Sequence, residues 1–546
     1  MAGTPHLQME HTTTINDVVD LQLMAVDLTE TYILANNIDA SGTVNWNGGL
    51  GFDPVDAFTG SFNGANYNID HLFINRPTED NIGLFSYIND TPQVYNTHII
   101  NADITGQNSV GILIGDIKTG LGKDPSLFFF DNCSASGIVN GVDYVGGLIG
   151  NISTKYSSFY FSNMSSSADV EGNDYVGGLV GYTKGGAPTD VFATGSVTGN
   201  NFVGGLYGVY GTRSQLQDSY ATGDVVAIGG YVGGLIGSHV SQFGVVRSYA
   251  TGDVAGGGER VGGLIGHNFT LVMDSYSTGN VSGLNNVGGL LGYNLTFVTN
   301  CFATGNTQGN DNIGGLTGYN SGTISESYAA GAVDGVSIIG GLVGLNDSGV
   351  IQDSYSVGTI HGNNMVGGVV GKNSNAFQVS NSYTQSLVFG NNESGGFVGN
   401  DDGTGIYSDN YWYSQDVGLL RDQDSGNFFN LNGIDDLGYK NPPQAEVPQE
   451  GSAALQPLSS EIISEGIYEP VINILLDETL TGFNVNIIQE EIINENTSSA
   501  TVNNAIILIE KLIEFTWDSD ALLSGEDQVF YGNVLEKVFK FEENLG

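Results

Sequence analysis

One position of this chain is held by rings: Tyr220, Tyr249, Tyr276, Phe302, Tyr328, Tyr355 and Tyr383, with Phe192 beginning the series. A row of aromatic side chains suits carbohydrate, because ring faces match the apolar faces of sugars and polar neighbours fix the hydroxyls. Here the neighbours are polar. Two residues before each ring stand Asp218, Arg247, Asp274, Asn300, Glu326, Asp353 and Asn381, and two after stand mostly threonines. In an extended strand these share the ring's face, while the intervening Ser, Cys and Ala point to the interior. The alternation puts the rings outside, as candidate ligand contacts.

Other chemistry finds less support. Glycoside hydrolysis needs paired carboxylates, and Asp218, Asp274, Glu326 and Asp353 share one repeat position. Arg247 and Asn300 interrupt that row, which reads more simply as a solvated strand face. A zinc protease needs two histidines four apart on a helix with a glutamate between them. The histidines are His6, His11, His71, His98, His239, His267 and His361, and no His-Glu-x-x-His occurs. Asn400-Asp401-Asp402-Gly403-Thr404-Gly405 is an oxygen-rich turn that fits neither an EF-hand nor a calcium-binding nonapeptide. No catalytic residue, no metal site and no cofactor is expected, beyond weakly bound calcium at such a turn. Cys133 and Cys301 occupy one repeat position six repeats apart, roughly 29 Å at one coil per repeat. A disulfide needs Cα atoms within about 7 Å, so two buried free thiols are expected.

The element that must position these residues is a repeat. The hexad Val-Gly-Gly-Leu-Ile-Gly or a close variant begins at Val145, Val176, Val203, Val232, Val261, Val287, Ile313, Ile339 and Val366. A weaker copy begins at Val110 and a decayed one at Ser394. A near-constant period of this length means one supersecondary unit stacked on itself. Each unit reads as three short strands: the hexad, the Ser-Tyr-Ala-Thr-Gly segment, and a Val-containing strand ending in Gly-Asn-Asn or Gly-Asn-Asp. Gly and Asn tolerate the left-handed backbone of a sharp corner, and stacked Asn side chains hydrogen-bond along the pile. The unit fits one coil of a parallel β-helix. Within the hexad, alternation puts Val145 and Ile149 on one face and Leu148 on the other. An outer Leu row is therefore expected, covered by a partner or left as a mildly apolar solvent face.

Residues 1–57 read as an N-terminal cap with a short helix at Asp17–Gln22 and a strand at Tyr32–Leu34. The repeats run over 58–413. A linker follows at 414–458, containing Pro442-Pro443. Residues 459–546 differ in kind: glycine nearly vanishes, and Val502, Ala505, Ile506, Ile509, Leu512 and Ile513 fall at helical spacing. This acidic α-rich domain is expected to serve as a cap or in self-association.

The charge is lopsided. Lys plus Arg number 14 against 59 acids, for a net charge of −45 over 546 residues. Bases are depleted rather than acids enriched. Such a surface repels phosphate backbones and anionic headgroups, so no nucleic-acid partner is expected. No run of about 20 apolar residues occurs, so no membrane insertion is expected either. The start, Met-Ala-Gly-Thr-Pro-His, shows no basic-then-apolar leader.

The repeats closely resemble the GLUG-motif family. The resemblance rests on Phe58-Thr59-Gly60-Ser61-Phe62-Asn63-Gly64, the recurrent Ser-Tyr-Ala-Thr-Gly and Val-Gly-Gly-Leu segments, and the closing Asn410-Tyr411-Trp412. It spans Phe58 to Trp412, about two thirds of the chain. It implies an all-β, right-handed parallel β-helix in a secreted or surface-displayed, often adhesin-like protein. Some relatives are attached to IgA-cleaving metalloproteases, but the motif brings no catalytic residues with it. The function expected is therefore non-enzymatic: an extracellular or cell-surface adhesin whose solenoid contacts a cell-surface glycan or protein. The alternatives are a spike or fibre of a virion, which leaves its cell by lysis and needs no leader, and a polysaccharide-active β-helix enzyme.

Overall fold

The chain divides into two units, Met1–Tyr439 and Lys440–Gly546. The computed structural model describes residues 12–412, apart from 90–92, 119–128, 154–159, 376–377, 404 and 409. The expected linker at 414–458 and α-rich domain at 459–546 lie outside the described residues.

One coil shows how the rest are built. Val272–Met273, Tyr276–Ser277 and Val281–Ser282 belong to a 36-stranded sheet. Asn285–Gly288 lies in an 11-stranded sheet and Leu291–Asn294 in a 12-stranded one. Each pairs in parallel with its counterpart in the next coil: Val272 with Val298, Tyr276 with Phe302, Val281 with Thr307, Val287 with Ile313, and Leu291 with Thr317. The same register recurs coil after coil. The protein is a parallel β-solenoid, and like residues pile into columns as the period requires.

The hexad is not one strand. In the first full copy, one strand ends at Gly146 and the next begins at Ile149. Between them Gly147-Leu148 makes a corner, and the N–H groups of both Leu148 and Ile149 donate to the Leu179 carbonyl. Alternation restarts at the corner, so Val145, Leu148 and Ile149 all point inward. The expected outer Leu row is thus overturned: Leu148, Leu179, Leu206, Leu235, Leu264, Leu290, Leu316 and Leu342 are all buried in the core. The hexad glycines serve this corner by close approach. A Cβ on Gly181 would lie 2.6 Å from the Val145 nitrogen and the Tyr175 carbonyl oxygen, so two main chains cross there with no room for a side chain.

The left-handed residues also sit elsewhere than the Gly-Asn turns suggest. One set immediately precedes the hexad: Tyr144, Tyr175, Phe202, Tyr231, Arg260, Asn286 and Asn312, with φ between 49° and 64°. The other lies two residues before each ring: Asp190, Asp218, Arg247, Asp274, Asn300, Glu326, Asp353 and Asn381. Gly199 is required instead because a Cβ would lie 2.7 Å from Val203 Cγ2.

Parallel pairing starts inside the segment read as a cap. Thr14–Ile15 pairs with Ile33 and Leu34, and Thr31–Leu34 pairs onward with Ser61–Asn63. The helix Val18–Leu23 between them is capped by Asp17, whose Oδ1 accepts from the Val19 and Asp20 N–H groups. It buries Leu21 and Leu23. The core at this end is aromatic, with Phe58 packed on Tyr32 and Phe85. Further along it becomes the Val, Leu and Ile columns.

Polar columns run inside the pile as well. Asn268, Asn294, Asn320, Asn346 and Asn373 are fully buried. Each Nδ2 donates to the next Oδ1 at 2.8–3.0 Å, and the last donates to the Tyr407 hydroxyl. Every amide from Asn268 to Asn346 also donates to the carbonyl of its own turn. His239 heads the ladder, with Nδ1 2.9 Å from Asn268 Oδ1. Asn stacking at the Gly-Asn corners occurs too, as between Asn391 and Asn363, but there it is exposed.

Candidate ligand-contact face

The ring row is an outer column of the 36-stranded sheet. Phe192, Tyr220, Tyr249, Tyr276, Phe302, Tyr328, Tyr355 and Tyr383 are each half-buried, whereas the residue following each ring is buried. Inward and outward positions alternate through the ring because the left-handed residue lies before it and not between it and the next position. Stacking is tight. Successive ring centroids from Phe192 to Tyr383 are 4.7–5.0 Å apart, with interplanar angles of 2–7°. Burial between neighbours raises the phenol pKa of Tyr220, Tyr249, Tyr276, Tyr328, Tyr355 and Tyr383. The hydroxyls therefore remain neutral donors at physiological pH.

This geometry decides what the column can offer. Inside the stack both faces of each ring are occupied by its neighbours, so a sugar can reach only ring edges and hydroxyls. Several of the flanking acids are engaged. Asp218 takes a bidentate pair from Arg247 at 2.7 Å, and Asp274 Oδ1 accepts from Asn300 Nδ2 at 2.6 Å. On the other flank, Asp224 and Asp253 accept from the backbone N–H groups of Asp253 and Asn280 in the following coils. These carboxylates tie coils together. In the oxygen-rich turn Asp402 does the same by accepting from the Asn375 N–H, while Asp401 accepts from the Gly403 N–H within the turn itself. Among the described residues no group of three His, Cys, Asp or Glu is placed to hold a metal ion. Cys133 and Cys301 are buried free thiols, with burial pushing both up to about 12.

A second aromatic cluster escaped the sequence reading. Tyr144, Tyr175, Phe202 and Tyr231 stack at 4.6–5.0 Å on the corner preceding the hexad. Tyr182 meets Tyr144 and Tyr175 edge-on. Arg260 then takes the next position, its guanidinium 4.8 Å from the ring centroids of both Tyr231 and Tyr293. The period was visible there, but the residue before the hexad changes type from Tyr to Arg, Asn, Ile and Met, which hides the column in sequence.

Known proteins are similar in three respects. Residues 257–282 match the GLUG motif. Over 151 residues the chain is 36% identical to halomucin from Haloquadratum walsbyi, a stretch equal to 26% of this chain and 2% of that protein. The chain thus matches only a small fraction of that relative's length. Among solved structures, one from Bacteroides ovatus, described provisionally as an immunoglobulin A1 protease, is 18% identical with a TM-score of 0.32. That likeness covers 53% of this chain and 74% of the other, and at such a score it carries no argument about activity. The matched motif falls on the coil whose hexad starts at Val261, and its register repeats through the neighbouring coils. Residues 257–282 thus carry a GLUG motif within a β-solenoid whose coils share its register.

Proposed function

We propose that this is a surface-displayed, non-enzymatic repeat protein that makes extended contact with a cell-surface glycan or protein. The observation that carries the reading is the outward ring column from Phe192 to Tyr383, a row of ring edges, most of them phenols, repeated coil after coil with several threonines beside it. Such a row suits many weak contacts rather than one pocket, and repetition raises avidity without any single strong site. The likeness to halomucin supports an extracellular or surface location, and the depletion of Lys and Arg disfavours anionic partners. Asp218, Asp224, Asp253 and Asp274 are committed to bonds between coils, which favours display over hydrolysis. Antibody labelling of intact cells that produce the protein tests the location: label on unpermeabilised cells is expected, and label seen only after lysis refutes it. Glycan and cell-binding assays with the full chain test the contact.

A further inference from the structure

The ring stack has an end. By register the column continues from Phe192 to Ser165, Ser134 and His98. Phe192 stacks on Tyr220 at 4.8 Å and 4° with one face. Against its other face no ring stands among the described residues. Two serines take the place of two rungs, so about 14 Å separates the Phe192 and His98 positions at three strand spacings. The space is a groove of about 440 Å³ lined by these residues together with Asn163 and Asp190, within the ~300–1,000 Å³ range of ligand sites.

Its walls are chemically specific. His98 Nδ1 lies 2.8 Å from Ser134 Oγ, and burial holds the imidazole below its usual range, so it is neutral at pH 7. Asn163 Nδ2 is held by Asp131 Oδ1 at 2.9 Å, which turns its carbonyl oxygen away from that bond. Neither the Ser165 hydroxyl nor the Asp190 carboxylate has a hydrogen-bond partner among the described residues. The nearby Arg247 is already paired with Asp218.

We propose that this break in the stack is a carbohydrate site, in which the terminal pyranose of a neutral glycan lies in the coil plane against the free face of Phe192. The sugar completes the ring column. Its apolar face meets Phe192 as the next tyrosine would, and its hydroxyls donate to Asp190 and accept from Ser165. The second missing rung leaves space for the next unit toward His98. An acidic sugar is refused, since among the described residues no free cation lines the groove and Asp190 and Asp218 do. The inference rests on the surface-contact reading above and narrows it from the whole column to the single uncovered ring face.

The test uses the full chain against an immobilised panel of neutral hexose oligosaccharides, with affinities measured by calorimetry for any that bind. Ser165→Tyr extends the stack and fills the groove with the residue type the column already accepts. Phe192→Ala removes the stacking face, and Asn391→Ala changes an exposed amide that is not part of the groove. Wild type and Asn391→Ala are expected to bind alike, while Ser165→Tyr and Phe192→Ala weaken binding about tenfold, the scale of one lost ring contact. Melting curves establish that Ser165→Tyr is folded, so the result stands even if Phe192→Ala is not. If Ser165→Tyr binds as wild type does, or if Asn391→Ala is weakened equally, the groove is not the site while the surface-contact reading survives. If the wild-type chain binds no member of the panel, the groove assignment and glycan contact both fall.

Discussion

The buried Asn ladder makes the sharpest prediction. Asn320 sits in its middle: its Oδ1 accepts from Asn294 Nδ2 at 2.8 Å and from the Gly322 N–H at 3.2 Å, and its Nδ2 donates to Asn346 Oδ1 at 2.8 Å and to the Gly322 carbonyl at 3.1 Å. Asn320→Leu keeps the branched four-atom side chain, slightly enlarged, and removes all four bonds. The Gly322 carbonyl keeps a partner in the Val350 N–H. Three groups are stranded without water: one hydrogen on Asn294 Nδ2, Asn346 Oδ1 and the Gly322 N–H. At about 1–3 kcal/mol per stranded group the loss is about 6 kcal/mol. Burying the leucine returns about 2 kcal/mol, leaving a net destabilisation of about 4 kcal/mol. Because each coil contacts only its neighbours, the damage is local, and the apt assay is hydrogen–deuterium exchange resolved by peptide. Protection is expected to drop across 312–323 and 340–350 and to remain near wild type in the coils around Val145 and Val176. Asn391→Ala, which removes the exposed bond to Asn363, serves as the control and is expected to shift protection by less than about 0.5 kcal/mol. If Asn320→Leu matches that control, the ladder is only a geometric consequence of stacking and contributes nothing measurable.

Two further sets of substitutions follow from buried polar atoms. Thr307 interrupts the column Val254, Val281, Thr307, Val333, and Tyr207 holds a position given to Ile or Val in most other coils; both hydroxyls are buried without partners. Thr307→Val and Tyr207→Phe are each expected to raise stability by about 1 kcal/mol, read as a higher melting temperature; a fall would mean that the hydroxyls are satisfied. Burial lowers the pKa of His239 to about 4, and burial with the Arg260 charge lowers that of His267 to about 3. Both titrate near 6.5 in the unfolded chain, so their contribution is fully present above about pH 6.5 and declines as pH falls toward 4, at up to about 1.4 kcal/mol per pH unit for each. His239→Asn, which installs the residue found lower in the same column, is expected to flatten the stability–pH profile between pH 6.5 and 4; an unchanged slope would refute the assignment.

The fold was legible because stacking demands periodicity and the hexad supplies it. Ring direction was legible too, because nothing between Ser219 and Val225 interrupts the alternation. The inward Leu148 was not. Val-Gly-Gly-Leu-Ile-Gly is equally consistent with a strand and with a corner, and only the main-chain crossing at Gly181 separates them. The Asn268–Asn373 ladder was hidden for a similar reason. An Asn shortly before a turn resembles any turn residue, and its burial depends on a neighbour a whole coil away. The groove at Ser134 and Ser165 lay in plain sight as an absence. Ser165, Ser134 and His98 hold the ring position in the coils before Phe192, but their segments lack the Ser-Tyr-Ala-Thr-Gly pattern that marks it.

Stacking like residues ought to pile carboxylates upon one another, and two unit charges at 4 Å repel by about 1 kcal/mol in water and about 4 kcal/mol at a protein surface. With few bases to spare, the chain uses amides. Asn163 donates to Asp131, Asn173 to Asp143, Asn201 to Asp174 and Asn280 to Asp253. In the column before the rings the order is Asp218, Arg247, Asp274, Asn300, Glu326, Asp353, so Asn300 separates Asp274 from two further acids. Asp274 is 8% exposed, which leaves little water to screen it. Asn300→Asp replaces a 2.6 Å hydrogen bond with a like charge and makes four consecutive acids. The lost charged hydrogen bond and the new repulsion together give an expected destabilisation of about 3 kcal/mol at pH 7. Repulsion raises the pKa of the new carboxyl in the folded state, so the penalty is largest at neutral pH and shrinks as pH falls through that raised value and one proton is shared. Urea titrations of both chains at pH 7 and pH 4.5 check this. A penalty of equal size at both would show that the amide is needed for its shape alone, and that the shortage of bases requires another explanation.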